Sequence, residues 1–184
     1  MKIFQHNIRS AHYIIPIILI TGILGACIKT TPVSEIPEVT FKDINVIQVQ
    51  DSLGNIVKRV VLEFDFIDGD ADIGMFENVG VDTIDTIPPE DKNNVLLTLY
   101  YKEDSMYFEA ETDSTYPENY YRIPYNEKLN RVGQNKTIKG TVKLNIDFYI
   151  DPEYDTMKYD FFIKDRADHE SNVAESKDFS LNGI

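Results

Sequence analysis

From Val39 onward the apolar residues recur every second position, and no stretch there carries the 3.6-residue period of a helix. The cleanest run is residues 56–67. Ile56, Val60, Leu62, Phe64 and Phe66 share one parity, and Arg59, Glu63 and Asp65 share the other. One apolar row and one polar row mean a strand with a buried side and a wet side. The same alternation appears in Val95, Leu97, Leu99 and Tyr101, in Val142, Leu144, Ile146 and Phe148, and in Met157, Tyr159, Phe161 and Ile163. Residues 41–50 hold Ile44, Val46, Ile47 and Val49, and that break in alternation predicts a bulge. Residues 106–110 and 173–181 read as further strands. Asp51-Ser52-Leu53-Gly54-Asn55 reads as a hairpin turn in which Gly54 and Asn55 tolerate positive φ, and Glu103-Asp104-Ser105 as a second turn. Short strands separated by turn residues predict an all-β fold, an antiparallel β-sandwich.

The first residues follow different rules. Residues 1–12 carry Lys2 and Arg9 and no acid, and residues 13–24 are apolar except at Pro16, Thr21 and Gly22. A basic start, an apolar run and small residues after it mark a secretory signal. The run is short for a membrane-spanning helix, which needs about 20 apolar residues. Leu24, Gly25 and Ala26 lead directly into Cys27, the chain's single cysteine, and this resembles the bacterial lipobox. The resemblance implies cleavage before Cys27, a diacylglycerol on its thiol and a further acyl chain on the new amine. One chain holds a membrane marginally and two hold it stably, at about 0.8 kcal/mol per buried CH₂. An ordinary signal with a chance cysteine and a retained anchor are the alternatives. Ile28 stands where an inner-membrane retention signal of enteric bacteria has Asp, so outer-membrane attachment in the cell envelope is expected. The organisation expected is a signal peptide over residues 1–26, a lipid anchor and tether over 27–38, and one sandwich over 39–184.

Charge narrows the partners. The chain's net charge of −13 becomes −15 once Lys2 and Arg9 leave with the signal. Such a surface repels nucleic acid and anionic lipid, and it suits cations. With Cys27 acylated, no thiol remains for a disulfide, a nucleophile or a cysteine zinc site. His6 and His12 also leave. Any Ser-His-Asp arrangement would have to use His169, between Asp168 and Glu170.

Two stretches resemble a group of Bacteroidetes lipoproteins. Phe66-Ile67-Asp68-Gly69-Asp70-Ala71-Asp72-Ile73-Gly74 is similar to their F-x-DGDGDIG signature, with Ala71 in place of a glycine. The run from Lys158 to Ala167, followed by Ser171-Asn172, is similar to their Y-x-F-x-I-x-DRAGN-x-SN ending, with Asp168-His169 in place of Gly-Asn. The resemblance implies an immunoglobulin-like lipoprotein and brings no catalytic residues with it. In such a domain residues 158–164 and 173–181 would be strands F and G, with Tyr159 where a tyrosine corner is expected.

Asp68, Asp70 and Asp72 concentrate three carboxylates at a spacing of two. A hard cation with oxygen ligands would relieve their repulsion, and calcium is the natural choice. The spacing is not that of an EF-hand, because Ile73 and Val79 stand where Gly and Glu are required. In an immunoglobulin-like sandwich the B–C and F–G loops lie at one end. Asp68 shares parity with Leu62, Phe64 and Phe66, and Asp165 with Tyr159, Phe161 and Ile163, so the two would face each other across the mouth of the core. The competing account is turn chemistry: Asp side chains cap turns, Gly69 and Gly74 supply positive φ, and Arg166 neutralises the remainder.

A second candidate is the tyrosine group Tyr116, Tyr120, Tyr121 and Tyr125, which would stack on sugars or a partner, or pack an edge strand that Pro124 makes irregular. Six Asp-Ser/Thr pairs, beginning at Asp51, Asp82, Asp85, Asp104, Asp113 and Asp155, resemble Bacteroidetes O-glycosylation sites. The function expected is a membrane-anchored, non-catalytic module with a binding or structural role, stabilised by calcium. A carbohydrate-binding accessory of a glycan-uptake system is the alternative, and a two-carboxylate glycosidase is a third reading.

Overall fold

The computed structural model describes residues 33–75, 93–111, 116–126, 136–149 and 153–182. The expectations for residues 1–26, Cys27 and residues 76–92 lie outside them. The described residues form eight strands: β1 (Glu38–Gln50), β2 (Ile56–Asp68), β3 (Val95–Glu103), β4 (Met106–Glu109), β5 (Tyr120–Tyr121), β6 (Ile138–Phe148), β7 (Met157–Ile163) and β8 (Ala174–Glu175). All pair antiparallel, in one sheet of order β1-β2-β6 and another of order β4-β3-β7-β8. β5 pairs with β3 as well, on Val95 and Leu96, while β4 takes Tyr100 to Glu103. This is the order A-B-E against C′-C-F-G of an immunoglobulin-like sandwich, with β2 as strand B, β3 as C and β7 as F.

The predicted apolar rows face the space between the sheets. Val60, Leu62 and Phe64 of β2 are fully buried, as are Met157, Phe161 and Ile163 of β7. The Phe64 and Phe161 rings meet at 4.9 Å and join the two sheets at mid-height. Ile56 leaves the row and is 69% exposed. On the outer face of the first sheet, charged residues pair across strands: Arg59 with Asp147 at 2.5 Å, Lys143 with Glu63 at 2.9 Å and Lys42 with Asp65 at 3.4 Å. Each such exposed pair contributes little beyond register.

Several local expectations change. The β1 bulge lies between Phe41 and Asp43. Phe41 and Ile44 both turn inward against Phe64 and Leu62, so the extra residue is Lys42, and Ile47 points out, 44% exposed. In the first hairpin Gly54 has φ 89°, and Asn55 is not in the positive-φ region. In the second, Asp104 (φ 47°) and Ser105 (φ 69°) both are, which is the type I′ geometry that matches strand twist. Tyr159 is buried at the start of β7, but its hydroxyl has no hydrogen-bond partner among the described residues, so the tyrosine-corner bond is not made there.

Residues 173–181 do not form one continuous strand. β8 covers only Ala174–Glu175, and Phe179 pairs separately with Met157. Between and before these, serines finish the β7 edge. Ser171 Oγ accepts from Ile163 N at 3.0 Å, and Ser176 Oγ accepts from Tyr159 N at 2.9 Å. Each serine N–H donates back to the same residue's carbonyl, at 2.9 and 2.8 Å. Asn172 then ties the sheets at their edge. Its amide accepts from Val39 N at 2.9 Å and donates to Val39 O at 3.0 Å.

Asn94 has 0% exposure. Its Nδ2 donates to Ile73 O, and to Lys164 O at 3.2 Å, while Oδ1 accepts from Ile123 N at 2.7 Å. Three segments far apart in sequence therefore meet on one amide. Asn94→Ala would leave buried donors and acceptors unpaired and is expected to cost about 3 kcal/mol or more. Urea unfolding measures this. A loss below about 1 kcal/mol would mean that water replaces the amide.

Candidate functional site

β2 ends at Asp68 and β7 ends at Ile163, two residues before Asp165, at the same end of the sandwich. Strand parity turns both carboxylates inward. Asp68 is 0% exposed and Asp165 1%. Asp72 joins them: one carboxylate oxygen from each of Asp68, Asp72 and Asp165 lies within 4.8 Å of the others. Asp70 is not in that mutually close set, but its carboxylate lies against both Asp68 and Asp72. The sequence expectation that Asp68 and Asp165 face each other is thus met, and Asp72 supplies the third group. Asp168 is exposed and is not in that set.

The loop geometry differs from the expected one. Neither Gly69 nor Gly74 has positive φ; Ala71 does, at 64°. The glycines serve close approach instead. A Cβ on Gly69 would stand 2.2 Å from Ser34 O, and one on Gly74 2.9 Å from Tyr125 Cα. Residues 33–34 therefore lie directly on the acidic loop. Beyond Gly74, Met75 pairs with the tyrosine segment, donating to Ile123 O at 3.0 Å and accepting from Tyr125 N at 2.8 Å. Ala71 and Asp168 both stand where the resembled motifs have glycine, and both have φ 64°. A side chain costs about 1–2 kcal/mol in that region, less for Asp.

The carboxylates are not equally satisfied. Asp165 Oδ1 accepts from Ala167 N and His169 N, both at 2.8 Å, and Oδ2 meets His169 Nδ1 at 2.9 Å. Asp68 Oδ2 accepts from Asp72 N at 2.9 Å. Asp68 Oδ1, Asp70 Oδ1 and Asp72 Oδ1 are buried and have no hydrogen-bond partner among the described residues. Arg166 stands beside them. Its Nη1 donates to Gly74 O at 2.7 Å, its guanidinium lies 5.5 Å from the Tyr125 ring, and its charge favours ionised Asp72. Burial outweighs that help. Desolvation, and then the neighbouring carboxylates, push Asp68 up to about 6 and Asp72 up to about 6. His169 is raised by its bond to Asp165. Oxygen donors without a resident proton donor are the chemistry of a hard-cation site.

The tyrosines do not form an outward platform. Tyr116 and Tyr121 pack against the core, and Tyr121 forms the short edge strand beside Val95. Tyr120 is half-buried and Tyr125 lies under Arg166. His169 and Asp165 make an Asp–His pair, yet among the described residues no hydroxyl donates to His169. The Ser171 hydroxyl is engaged with Ile163 N and Asn172 O. A groove of 460 Å³ on the outer face of the first sheet includes Thr40, Asp65 and Thr141, and the Asp65 and Thr141 side chains bond one another. Among the described residues no helix is long and apolar enough to cross a membrane.

The raised carboxylates have a measurable consequence. Asp68 and Asp72 hold protons in the folded state that the unfolded chain releases near 3.8. Their contribution to stability is complete below that value and is lost as pH rises through about 6. His169 acts in the same direction, its contribution being lost above its ordinary 6.5. In EDTA the melting temperature is expected to fall between pH 5 and pH 8, and Asp68→Asn is expected to flatten that fall. An unchanged slope in the variant would place the titration elsewhere. No protein family, curated protein or solved structure matches this chain in the three comparisons made.

Proposed function

We propose that the protein is a non-catalytic module of the bacterial cell envelope, held on the outer membrane by lipid on Cys27, with a binding or structural role at the far end of its sandwich. The observation that carries this reading is the inequality of the two ends. The chain comes in from residues 33–37 at the acidic end, against Gly69. The opposite end, made by the β1–β2 and β3–β4 hairpins and the end of β6, bears the three most exposed large apolar side chains among the described residues, and Met106 as well. Leu53 is 85% exposed, Ile56 and Tyr149 69% and Met106 59%. Scattered apolar side chains are ordinary on a protein surface, but a concentration on one rim marks an interaction site.

The lipobox-like residues 24–27 support the anchor. The two motif resemblances support an envelope lipoprotein, and the left-handed backbone at Ala71 and Asp168 accounts for glycine in the motifs they depart from. The carbohydrate-accessory reading draws less support, because Tyr116 and Tyr121 are committed to the core.

Cys27→Ala is expected to abolish incorporation of a labelled fatty acid and to move the protein out of the membrane fraction. Retained label would overturn the anchor. A photo-crosslinking residue at Leu53 is expected to give a discrete adduct in intact cells, where the same residue at Asp65, on the side of the first sheet, gives none. Equal yields at both positions would count against the distal rim.

A further inference from the structure

We propose that Asp68, Asp72 and Asp165, with Asp70 beside them, bind one calcium ion, and that this ion fastens the incoming chain to both sheets. The inference is independent of the lipid anchor. It begins with Asp68. A residue with 0% exposure keeps one carboxylate oxygen paired to Asp72 N and leaves the other, Oδ1, buried and without a donor among the described residues. A lone buried carboxylate is costly unless a positive group meets it. What Oδ1 lies near is two more carboxylates, Asp70 and Asp72, each with its own buried, unpartnered oxygen. Asp68 and Asp72, with Asp165, each bring one carboxylate oxygen to within 4.8 Å of the others, and carboxylates gathered this closely around unpartnered buried oxygens call for a cation between them.

The spacing fits calcium. Ca²⁺–oxygen distances of about 2.3–2.6 Å place ligand atoms on opposite sides of the ion about 4.6–5.2 Å apart. The chosen oxygens of Asp68, Asp72 and Asp165 lie within 4.8 Å of one another, so all three reach a common centre. The donors are all oxygen. The imidazole nearest them, His169, spends Nδ1 on Asp165 Oδ2. A carboxylate set of this kind favours calcium over zinc, which takes nitrogen and sulfur, and over magnesium, which holds several waters.

The ion would act where four segments meet. Ser34 O crosses Gly69 one residue from Asp68. Asp68 and Asp72 close the loop after β2, Met75 at its end pairs with Ile123 and Tyr125, and Asp165 organises the turn after β7. A ligand bridging Asp68 and Asp165 connects the first sheet to the second. Holding residues 68–72 rigid also fixes the surface on which residues 33–34 lie.

The test uses the purified mature protein in detergent, stripped with EDTA and then given CaCl₂, MgCl₂ or ZnCl₂ separately. Calcium at a hundred times its dissociation constant is expected to raise the melting temperature by about 5–10 °C. Magnesium and zinc are expected to do less. Asp72→Asn and Asp68→Asn should lose the calcium response, while Asp168→Asn, an exposed acid in the same turn, should keep it. Should Asp68→Asn fail to fold, Asp72→Asn, at a half-buried position, carries the comparison. Hydrogen exchange at residues 33–36 is expected to slow at least tenfold with calcium. No calcium response in the wild type, or an equal response in Asp72→Asn, would overturn the site. A preference for zinc or magnesium would overturn the assignment to calcium. Calcium binding with unchanged exchange at residues 33–36 would overturn the fastening.

Discussion

Everything at the acidic end depends on the buried amide of Asn94. Its backbone belongs to the sheet, donating to Tyr121 O at 3.0 Å and accepting from Lys164 N at 2.9 Å. Its side chain reaches out of that sheet to Ile73 O and Ile123 N. A buried amide is tolerated only when its hydrogen-bonding capacity is met, so the three segments are fixed to within hydrogen-bond tolerance. Ile73 follows Asp72 directly. Pinning Ile73 removes the easiest relief of charge repulsion, which is for Asp72 to swing into solvent. Asp68 is held by the β2 ladder and Asp165 by its own turn. The carboxylates are near one another because the backbone leaves them nowhere else to go.

A similar economy of polar groups closes the rest of the sandwich. The β7 edge is satisfied at each inward residue, by backbone pairing at Met157 and Phe161 and by a serine at Tyr159 and Ile163. Phe179 serves Met157 through the backbone, Ser176 serves Tyr159 through its hydroxyl, Ala174 serves Phe161, and Ser171 serves Ile163. Replacing a strand carbonyl by a serine hydroxyl lets the last segment bend away while β7 keeps its partners. The result is an edge with few free groups for another chain to pair with. Asn172 performs the corresponding task between sheets, bonding both the N–H and the C=O of Val39 as a neighbouring strand would.

What was legible in the sequence was whatever strand parity carries. Leu62, Phe64 and Phe66 point inward, so Asp68 must as well, and the same holds for Asp165 after Ile163. From that rule and the shared loop end of an immunoglobulin-like domain, the facing pair followed. Parity says which way a side chain points and nothing about which distant segment it meets. The contacts of Asn94, and the pairing of Met75 with Ile123 and Tyr125, therefore had no local sign. Gly69 was legible as a special position but for the wrong reason. A glycine needed for φ and one needed for contact look alike in a sequence, and the contact here is with residues 33–34, far away along the chain. The β1 bulge was legible as a break in alternation within residues 41–50, and the register with β2 places it between Phe41 and Asp43. The tyrosines stayed open between two readings because aromatic content alone does not separate a ring that stacks on a ligand from one that packs an edge strand, and Tyr116 and Tyr121 take the packing role.

Turn chemistry and cation binding make different demands on a carboxylate, and the aspartates of this chain can be sorted by them. Asp51 is the pure turn former. Oδ1 accepts from Leu53 N and Asn55 N, Oδ2 accepts from Asn55 Nδ2, and the bond to the Asn55 side chain lowers its pKa. Asp165 makes the same kind of turn in a buried setting, with three donors across its two oxygens. Turn formation explains both residues without any ligand. Asp68 fails that account. One oxygen caps Asp72 N as a turn former's would, but the other is enclosed among carboxylates and meets no donor. Nothing in a turn requires that oxygen to be buried, and a serine or asparagine would cap the same amide without the charge. The part of the site that turn chemistry leaves unexplained is therefore Asp68 Oδ1, together with Asp70 Oδ1 and Asp72 Oδ1, which are buried and unpartnered among the described residues in the same way.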